Sequence, residues 1–214
     1  MITYRQLGRN GRLGNQLWQI AGTLAVANRR NETAGFPFWK YHAYFSVPDQ
    51  LFPDLTAVTG DDMGLDYFQD LQYLLEIEDL LRKYFTPRPE VWALIAHRFR
   101  DVLALPHRTA VHVRRGDYLV HAGLFPPLPL DYYLEAMALT QGPYLVFSDD
   151  IEWCRTNLPP SCLFVEHNRD YEDLLLMTKC EEHITANSTF SWWGAWLADA
   201  RAIFSENLLR IMAA

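Results

Sequence analysis

Val111-His112-Val113-Arg114-Arg115-Gly116-Asp117-Tyr118 decides how this sequence is read. An apolar, β-branched run ends abruptly in two guanidinium groups, a glycine and a carboxylate. Side chains alternate across a strand, so His112 and Arg114 share one face while Val111, Val113 and Arg115 share the other. A strand inside a parallel sheet is apolar on both faces, and a His with two Arg at its end carries a desolvation cost. Two arrangements offset that cost. The planar forks grip a phosphate-like anion, or they pair with Asp117 at the strand end. The residues alone leave both open.

Outward from that stretch, the second half of the chain alternates strand and helix. Apolar runs fall at Thr109–Val113, Tyr144–Phe147, Leu163–Val165, His183–Ala186 and Ala202–Phe204. Helical spacing predicts helices over Asp131–Thr140, Asp150–Asn157, Tyr171–Cys180 and Ser191–Ala200. This alternation predicts an α/β fold with a parallel sheet covered on both faces. The first four strands all end in polar residues: His112, Arg114 and Arg115; Ser148, Asp149 and Asp150; Glu166, His167 and Asn168; Asn187, Ser188 and Thr189. Ligands of open α/β sheets bind beyond the carboxyl ends of the strands, so these four ends converge on one site.

Two of those ends carry identifiable chemistry. Asn187-Ser188-Thr189-Phe190-Ser191-Trp192-Trp193-Gly194-Ala195-Trp196 opens a helix with more hydroxyl and amide groups than capping requires. With the N–H groups of the helix start, they form an anion cradle. The three tryptophans read as helix–sheet packing before a sugar platform. Ser148-Asp149-Asp150 combines a helix cap with a second carboxylate suited to a ribose, a guanine edge or a metal, and without a strict D-x-D a metal is not expected. Asp117 and His121 are placed to serve as a base toward a hydroxyl, Asp117 equally as an ion-pair partner.

The first half is less regular. Ile2–Leu7 predicts a short strand, Gly8-Arg9-Asn10-Gly11-Arg12-Leu13-Gly14-Asn15-Gln16 a glycine loop, and Gln16–Arg30 a helix. That order can set backbone N–H groups against a phosphate. It matches neither G-x-G-x-x-G nor a P-loop, so a plain tight turn reads equally well. Phe36–Trp39 predicts a second strand, 40–66 loops and short elements, and Gln69–Phe85 and Glu90–Ala104 two helices. Pro106-His107-Arg108 marks the seam between halves 1–106 and 107–214.

Composition removes several function classes. The 214 residues are 50 % hydrophobic and 14 % aromatic with net charge -7, which describes a globular chain and argues against nucleic acid or an anionic membrane surface as main partner. Cys154, Cys162 and Cys180 lack metal or disulfide spacing. No apolar run spans a bilayer, and Met1-Ile2-Thr3-Tyr4 opens without a signal pattern, so a cytoplasmic location is expected, with peripheral membrane association left open. A phosphate-rich site without a nucleophile–base triad points to a nucleotide whose diphosphate leaves, as in glycosyl transfer from a nucleoside-diphosphate sugar.

Gly11-Arg12-Leu13-Gly14-Asn15-Gln16, His112-Val113-Arg114-Arg115-Gly116-Asp117-Tyr118, Ser148-Asp149-Asp150 and Asn187-Ser188-Thr189-Phe190-Ser191-Trp192-Trp193 together resemble the α-1,2-fucosyltransferase family, glycosyltransferase family 11. Tyr67-Phe68-Gln69 and Glu172-Asp173-Leu174 are similar to that family's pattern too. The resemblance implies a GT-B-like fold, two Rossmann-like lobes with parallel sheets facing a cleft, an acceptor-side lobe over 1–106 and a GDP-sugar lobe over 107–214. It implies inverting transfer of L-fucose from GDP-β-L-fucose to the 2-hydroxyl of galactose in a glycan acceptor, with no cofactor and no metal. Arg114 would contact the leaving β-phosphate, with His112 beside it and Arg115 in support, while Asn15 would reach across the cleft toward the donor. Ser188 and Thr189 would bond phosphate and Asp149 or Asp150 the nucleoside, with Ser148, Asn187, Phe190, Gly14 and Gln16 completing the donor site; Asp117 is the nominated base.

The sequence departs from the family at Asp66, where Gly is usual, and at Trp18, where Phe is usual. Three other functions remain in competition: fucosyl transfer with α-1,6 or protein O-linkage, a non-catalytic GDP-sugar-binding module, and an adhesion protein displaying Arg115-Gly116-Asp117.

Overall fold

The computed structural model describes residues 1–208 except Ala57, Leu65, Ala122, Leu124, Phe125 and Asn207. The end of the expected second lobe, 209–214, therefore lies outside the described residues. Two compact units are present, one over Met1–Ala93 and one beginning at Leu94.

The first unit is built on a three-stranded parallel sheet of two-residue strands, β1 (Ile2–Thr3), β2 (Ala34–Gly35) and β3 (Asp61–Asp62), in the order β2-β1-β3. Helix α1 (Leu13–Arg29) connects β1 to β2 and buries Leu17, Trp18, Ile20, Ala21 and Leu24. Helices α2 (Leu71–Leu75) and α3 (Glu78–Tyr84) follow β3. The strand expected over Ile2–Leu7 is shorter than its apolar pattern, because the chain turns where Leu7 N–H meets the Tyr4 carbonyl. Phe36–Trp39 is not a strand. The ladder ends at Gly35, Pro37 has no N–H to donate, and Phe36 and Trp39 are buried as loop residues. The helix expected over Gln69–Phe85 breaks at Ile77 (φ -134°), beside a Glu76 carboxylate gripped by Arg29 Nε and Nη2, each at 2.6 Å.

The expected helix Glu90–Ala104 likewise divides into α4 (Pro89–Arg98) and α5 (Arg100–Leu103). Beside the break, the Arg98 guanidinium donates to Glu172 and to the His167 carbonyl.

In the second unit, β4 (Thr109–Val113), β5 (Tyr144–Ser148), β6 (Leu163–Phe164), β7 (Glu182–Ile184) and β8 (Arg201–Ile203) pair in parallel in the order β6-β5-β4-β7-β8. The connecting helices are α6 (Gly116–Val120), α7 (Leu130–Ala138), α8 (Ile151–Asn157), α9 (Asp170–Met177) and α10 (Thr189–Ala198). Val111, Val113, Val146 and Ile184 form one core with Tyr133, Ala136 and Met137 of α7 and Cys154 of α8. On the opposite face α9 lies against α10, where a Cβ on Gly194 would come within 3.0 Å of Met177 Cε.

Strand order locates the site. The chain leaves β4 toward β5 on one side and leaves β7 toward β8 on the other, although β4 and β7 are neighbours. Connections departing in opposite directions open a crevice beyond the carboxyl ends of these two strands.

Candidate functional site at the carboxyl edge of the second sheet

His112 and Arg114 do fall on one face of β4 and its extension. The His112 ring lies 5.3 Å from that of Phe190 in α10, whereas Arg115 stacks its guanidinium 4.1 Å over Trp153 of α8. His112 is buried, and its Nδ1 has no hydrogen-bond partner among the described residues. Desolvation, reinforced by the Arg114 charge, pushes its pKa down to about 3, so the ring is neutral at ordinary pH.

Arg114 is clamped between carboxylates. Nη1 reaches Asp149 Oδ2 at 2.7 Å and Nη2 reaches Asp117 Oδ1 at 2.6 Å, leaving its side chain 13 % exposed. Its guanidinium carbon also lies 5.4 Å from the centre of the Tyr118 ring. Asp149 Oδ1 accepts the N–H groups of Arg115 (2.9 Å) and Gly116 (3.2 Å). A Cβ on Gly116 would stand 2.7 Å from Asp149 Oδ2, which explains the glycine. Asp150 caps α8 through the Trp153 N–H and binds Arg115 Nε at 3.1 Å, while Ser148 Oγ accepts the Asp150 N–H at 2.9 Å. Asp149 and Asp150, one of them expected at the nucleoside, and Ser148, expected in the donor site, are thus engaged in shaping the arginine loop. Arg115, Gly116 and Asp117 are locked into the same network and do not form the protruding tripeptide an adhesion loop would need.

Across the crevice, Ser188 caps α10 by accepting the Phe190 N–H at 3.3 Å, and Thr189 is the first helical residue. Asn187 is buried; its carbonyl accepts the Tyr118 hydroxyl at 2.6 Å, and its amide oxygen accepts from Ser205. The Tyr118–Asn187 bond fastens the arginine loop to the start of α10. Trp192 and Trp193 are buried, and with Trp196 they form a cluster with ring centres 5.1 to 6.0 Å apart, as packing residues do.

The first-unit residues occupy the loop and first turn of α1. Gly11 has φ +73°, Gly14 is buried, and Asn15 Oδ1 accepts from Gln69 at 3.2 Å. Gln16 is buried with both ends of its amide in use: Nε2 donates to the Gly11 carbonyl (2.9 Å) and Oε1 accepts from Trp39 (2.8 Å). Gln16 holds the glycine loop onto the helix.

Asp173 was legible only through the family pattern. It is half-buried in the first turns of α9, which starts at the same carboxyl edge, and it accepts from Asn168 at 2.8 Å. Burial pushes its pKa up to about 7. Among the described residues no group of three or more His, Cys, Asp or Glu is placed to hold a metal ion.

A five-stranded parallel sheet with an arginine loop and a helix start on either side of its switch point defines a Rossmann-like α/β protein. The model of glycosyl transferase family 11 matches residues 23–207, and the chain belongs to that family. The chain is 36 % identical over 155 residues to the alpha-1,2-colitosyltransferase of Escherichia coli, covering 66 % of this chain and 53 % of the relative. It is 26 % identical over 243 residues to galactoside alpha-(1,2)-fucosyltransferase 1 of Pan troglodytes, covering 92 % of this chain and 66 % of the relative. The chain spans about half the length of the bacterial relative. Its fold is similar to that of the NodZ alpha-1,6-fucosyltransferase crystal structure soaked with GDP-fucose, with TM-score 0.60, 17 % identity, and coverage of 92 % of this chain and 91 % of that one. The two parallel-sheet units agree with the GT-B-like α/β fold expected from the sequence. No helix among the described residues is long and apolar enough to cross a membrane.

Proposed function

We propose that this family 11 glycosyltransferase moves L-fucose from GDP-fucose to the 2-hydroxyl of a galactose in a glycan acceptor, with inversion at the anomeric carbon. The observation that carries the reading is the Arg114 clamp facing the start of α10, joined through the Tyr118–Asn187 bond. The α-1,2 linkage named in both curated relatives supports the regiochemistry.

In this reading Arg114 stabilises the charge that develops on the departing β-phosphate, and the Ser188 and Thr189 end of α10 meets the same diphosphate. His112, being neutral, offers a hydrogen bond without a competing cation. Asp149 and Asp150 keep Arg114 and Arg115 in place. Asp173, with a pKa near neutrality, suits an uncharged hydrogen-bonding edge such as a nucleobase. Asn15 is assigned to the donor on the family resemblance. Asp117, once a phosphate has taken its share of Arg114, accepts the proton of the acceptor hydroxyl. The proposed reaction assigns no step to a cofactor or a metal.

The test is an acceptor screen with GDP-fucose, with and without chelator, in which the linkage of the product is determined. Chelator-insensitive α-1,2-fucosyl-galactoside supports the assignment. An α-1,6 or protein-linked product, GDP-fucose binding without transfer, or transfer only from another GDP-sugar such as GDP-colitose, overturns it.

A further inference from the structure

At the carboxyl edge of the first unit, the Asn15 carboxamide is contacted from two sides. Gln69 Nε2 donates to Asn15 Oδ1 at 3.2 Å. On the other side lies Gly11, where an added Cβ would stand 2.7 Å from Asn15 Nδ2 and 2.6 Å from its Cβ. The amide oxygen therefore faces Gln69, and the amide nitrogen occupies the space that a glycine leaves.

Gln69 is held in turn from behind. Phe68, next to it, has φ +53°, a left-handed conformation that a bulky side chain rarely adopts. Three contacts determine it. The Phe68 N–H donates to Asp66 Oδ1 at 2.9 Å, and the Phe68 carbonyl accepts the Asp70 N–H at 2.8 Å. The buried ring sits in a notch of α1 where a Cβ on Gly22 would stand 2.3 Å from Phe68 Cγ. Strained backbone held this firmly clusters where side-chain placement matters, and here it delivers Gln69 to Asn15.

We propose that Gln69 is a positioning residue: it holds the Asn15 carboxamide by its oxygen, so that Asn15 offers its amide N–H groups to an oxygen of the sugar nucleotide. This rests on the reading of Asn15 as a donor-contacting residue. Gly11 completes the device by leaving room for the amide nitrogen, and the Phe68 turn fixes Gln69 in register.

The experiment compares Gln69→Ala, Gln69→Glu, Asn15→Ala and the Gln69→Ala/Asn15→Ala double variant, with kcat and KM determined separately for GDP-fucose and acceptor. A Glu at this position offers only acceptors, so it pairs with Asn15 Nδ2 and reverses the amide. Both Gln69 variants are expected to lose about tenfold in kcat/KM for GDP-fucose with acceptor KM unchanged. The double variant is expected to be no worse than Asn15→Ala. Additive losses, or wild-type kinetics in Gln69→Glu, overturn the proposal. A second readout needs no turnover. The Asn15 side-chain amide signals in a ¹H–¹⁵N spectrum, assigned by their loss in Asn15→Ala, are expected to shift in Gln69→Ala; unmoved signals overturn the hold. Should the wild-type chain fail to turn over GDP-fucose, the functional reading falls while the spectrum still decides whether Gln69 positions Asn15.

Discussion

Arg114 and Arg115 are adjacent in sequence and do different jobs because strand alternation sends them to opposite faces. Arg115 places its guanidinium over Trp153 and donates through Nε to Asp150, a combination that Lys cannot reproduce. Arg114 stands between Asp117 and Asp149 at the mouth of the crevice. Arg114→Ala is expected to cut transfer by about 10²–10³ or more while the far-UV circular dichroism spectrum is retained. Arg115→Lys is expected to keep turnover within about tenfold and to cost about 1 kcal/mol of stability, read from urea denaturation. Equal turnover in wild type and Arg114→Ala would remove the assignment. Asp117 is 41 % exposed and shares Arg114 with Asp149, so it competes with an incoming phosphate. Asp117→Asn is expected to bind GDP several-fold more tightly in calorimetry while kcat falls, because the proton acceptor is lost. Weaker GDP binding would assign Asp117 to holding Arg114 in shape.

Helix α10 meets α9 through Gly194, with Met177 Cε and Cβ 3.0 and 3.1 Å from where a Cβ would be. Gly194→Val is expected to cost about 1–3 kcal/mol through overpacking, and Met177→Ala in the same chain to restore part of the urea midpoint. At this scale the second unit was readable in sequence, and the first only in the start of β1 and in α1. Strands of five residues such as Thr109–Val113 carry a periodic apolar pattern, whereas the two-residue strands Ala34–Gly35 and Asp61–Asp62 carry none. The helix breaks at Ile77 and Phe99 lie beside contacts with Arg29–Glu76 and Arg98–Glu172, partners 47 and 74 residues apart, which local spacing cannot reveal. The site shows the same division. Alternation placed His112 with Arg114, but the role of Asp149 as the brace of Arg114, Arg115 and Gly116 depends on β5 lying beside β4. Asp173 stayed hidden because an acidic first turn is ordinary capping until burial is known.

Across the whole molecule, buried titratable groups set the pH dependence of stability. Desolvation pushes His112 down to about 3 and His183 down to about 4, against about 6.5 in an unfolded chain. Below about pH 6.5 the unfolded chain binds protons that the folded one refuses, so these two groups make stability fall as pH drops toward 4. Asp173 acts in the opposite sense. Its folded pKa of about 7 lies above the ordinary 3.8, so its contribution to stability is lost as pH rises through that window. Asp173→Asn removes the opposing group. Relative to wild type, the variant is expected to gain stability progressively from about pH 4 to 7, reaching about 1–3 kcal/mol. Urea midpoints at pH 5 and 7 check this, and a difference that does not change with pH would contradict the desolvated-carboxyl account.

The strand order also has a consequence for vectorial synthesis. Central strand β4 takes its second neighbour from β7, so Thr109 waits for Glu182 to leave the ribosome. Until then Val111 and Val113 belong to a nascent sheet with an open flank, and nonlocal parallel pairing of this kind is slow and vulnerable to aggregation. A translational pause before β7 has emerged would therefore expose a strand that is fully buried in the finished unit for as long as the pause lasts. Chaperone dependence should follow codon usage over that interval.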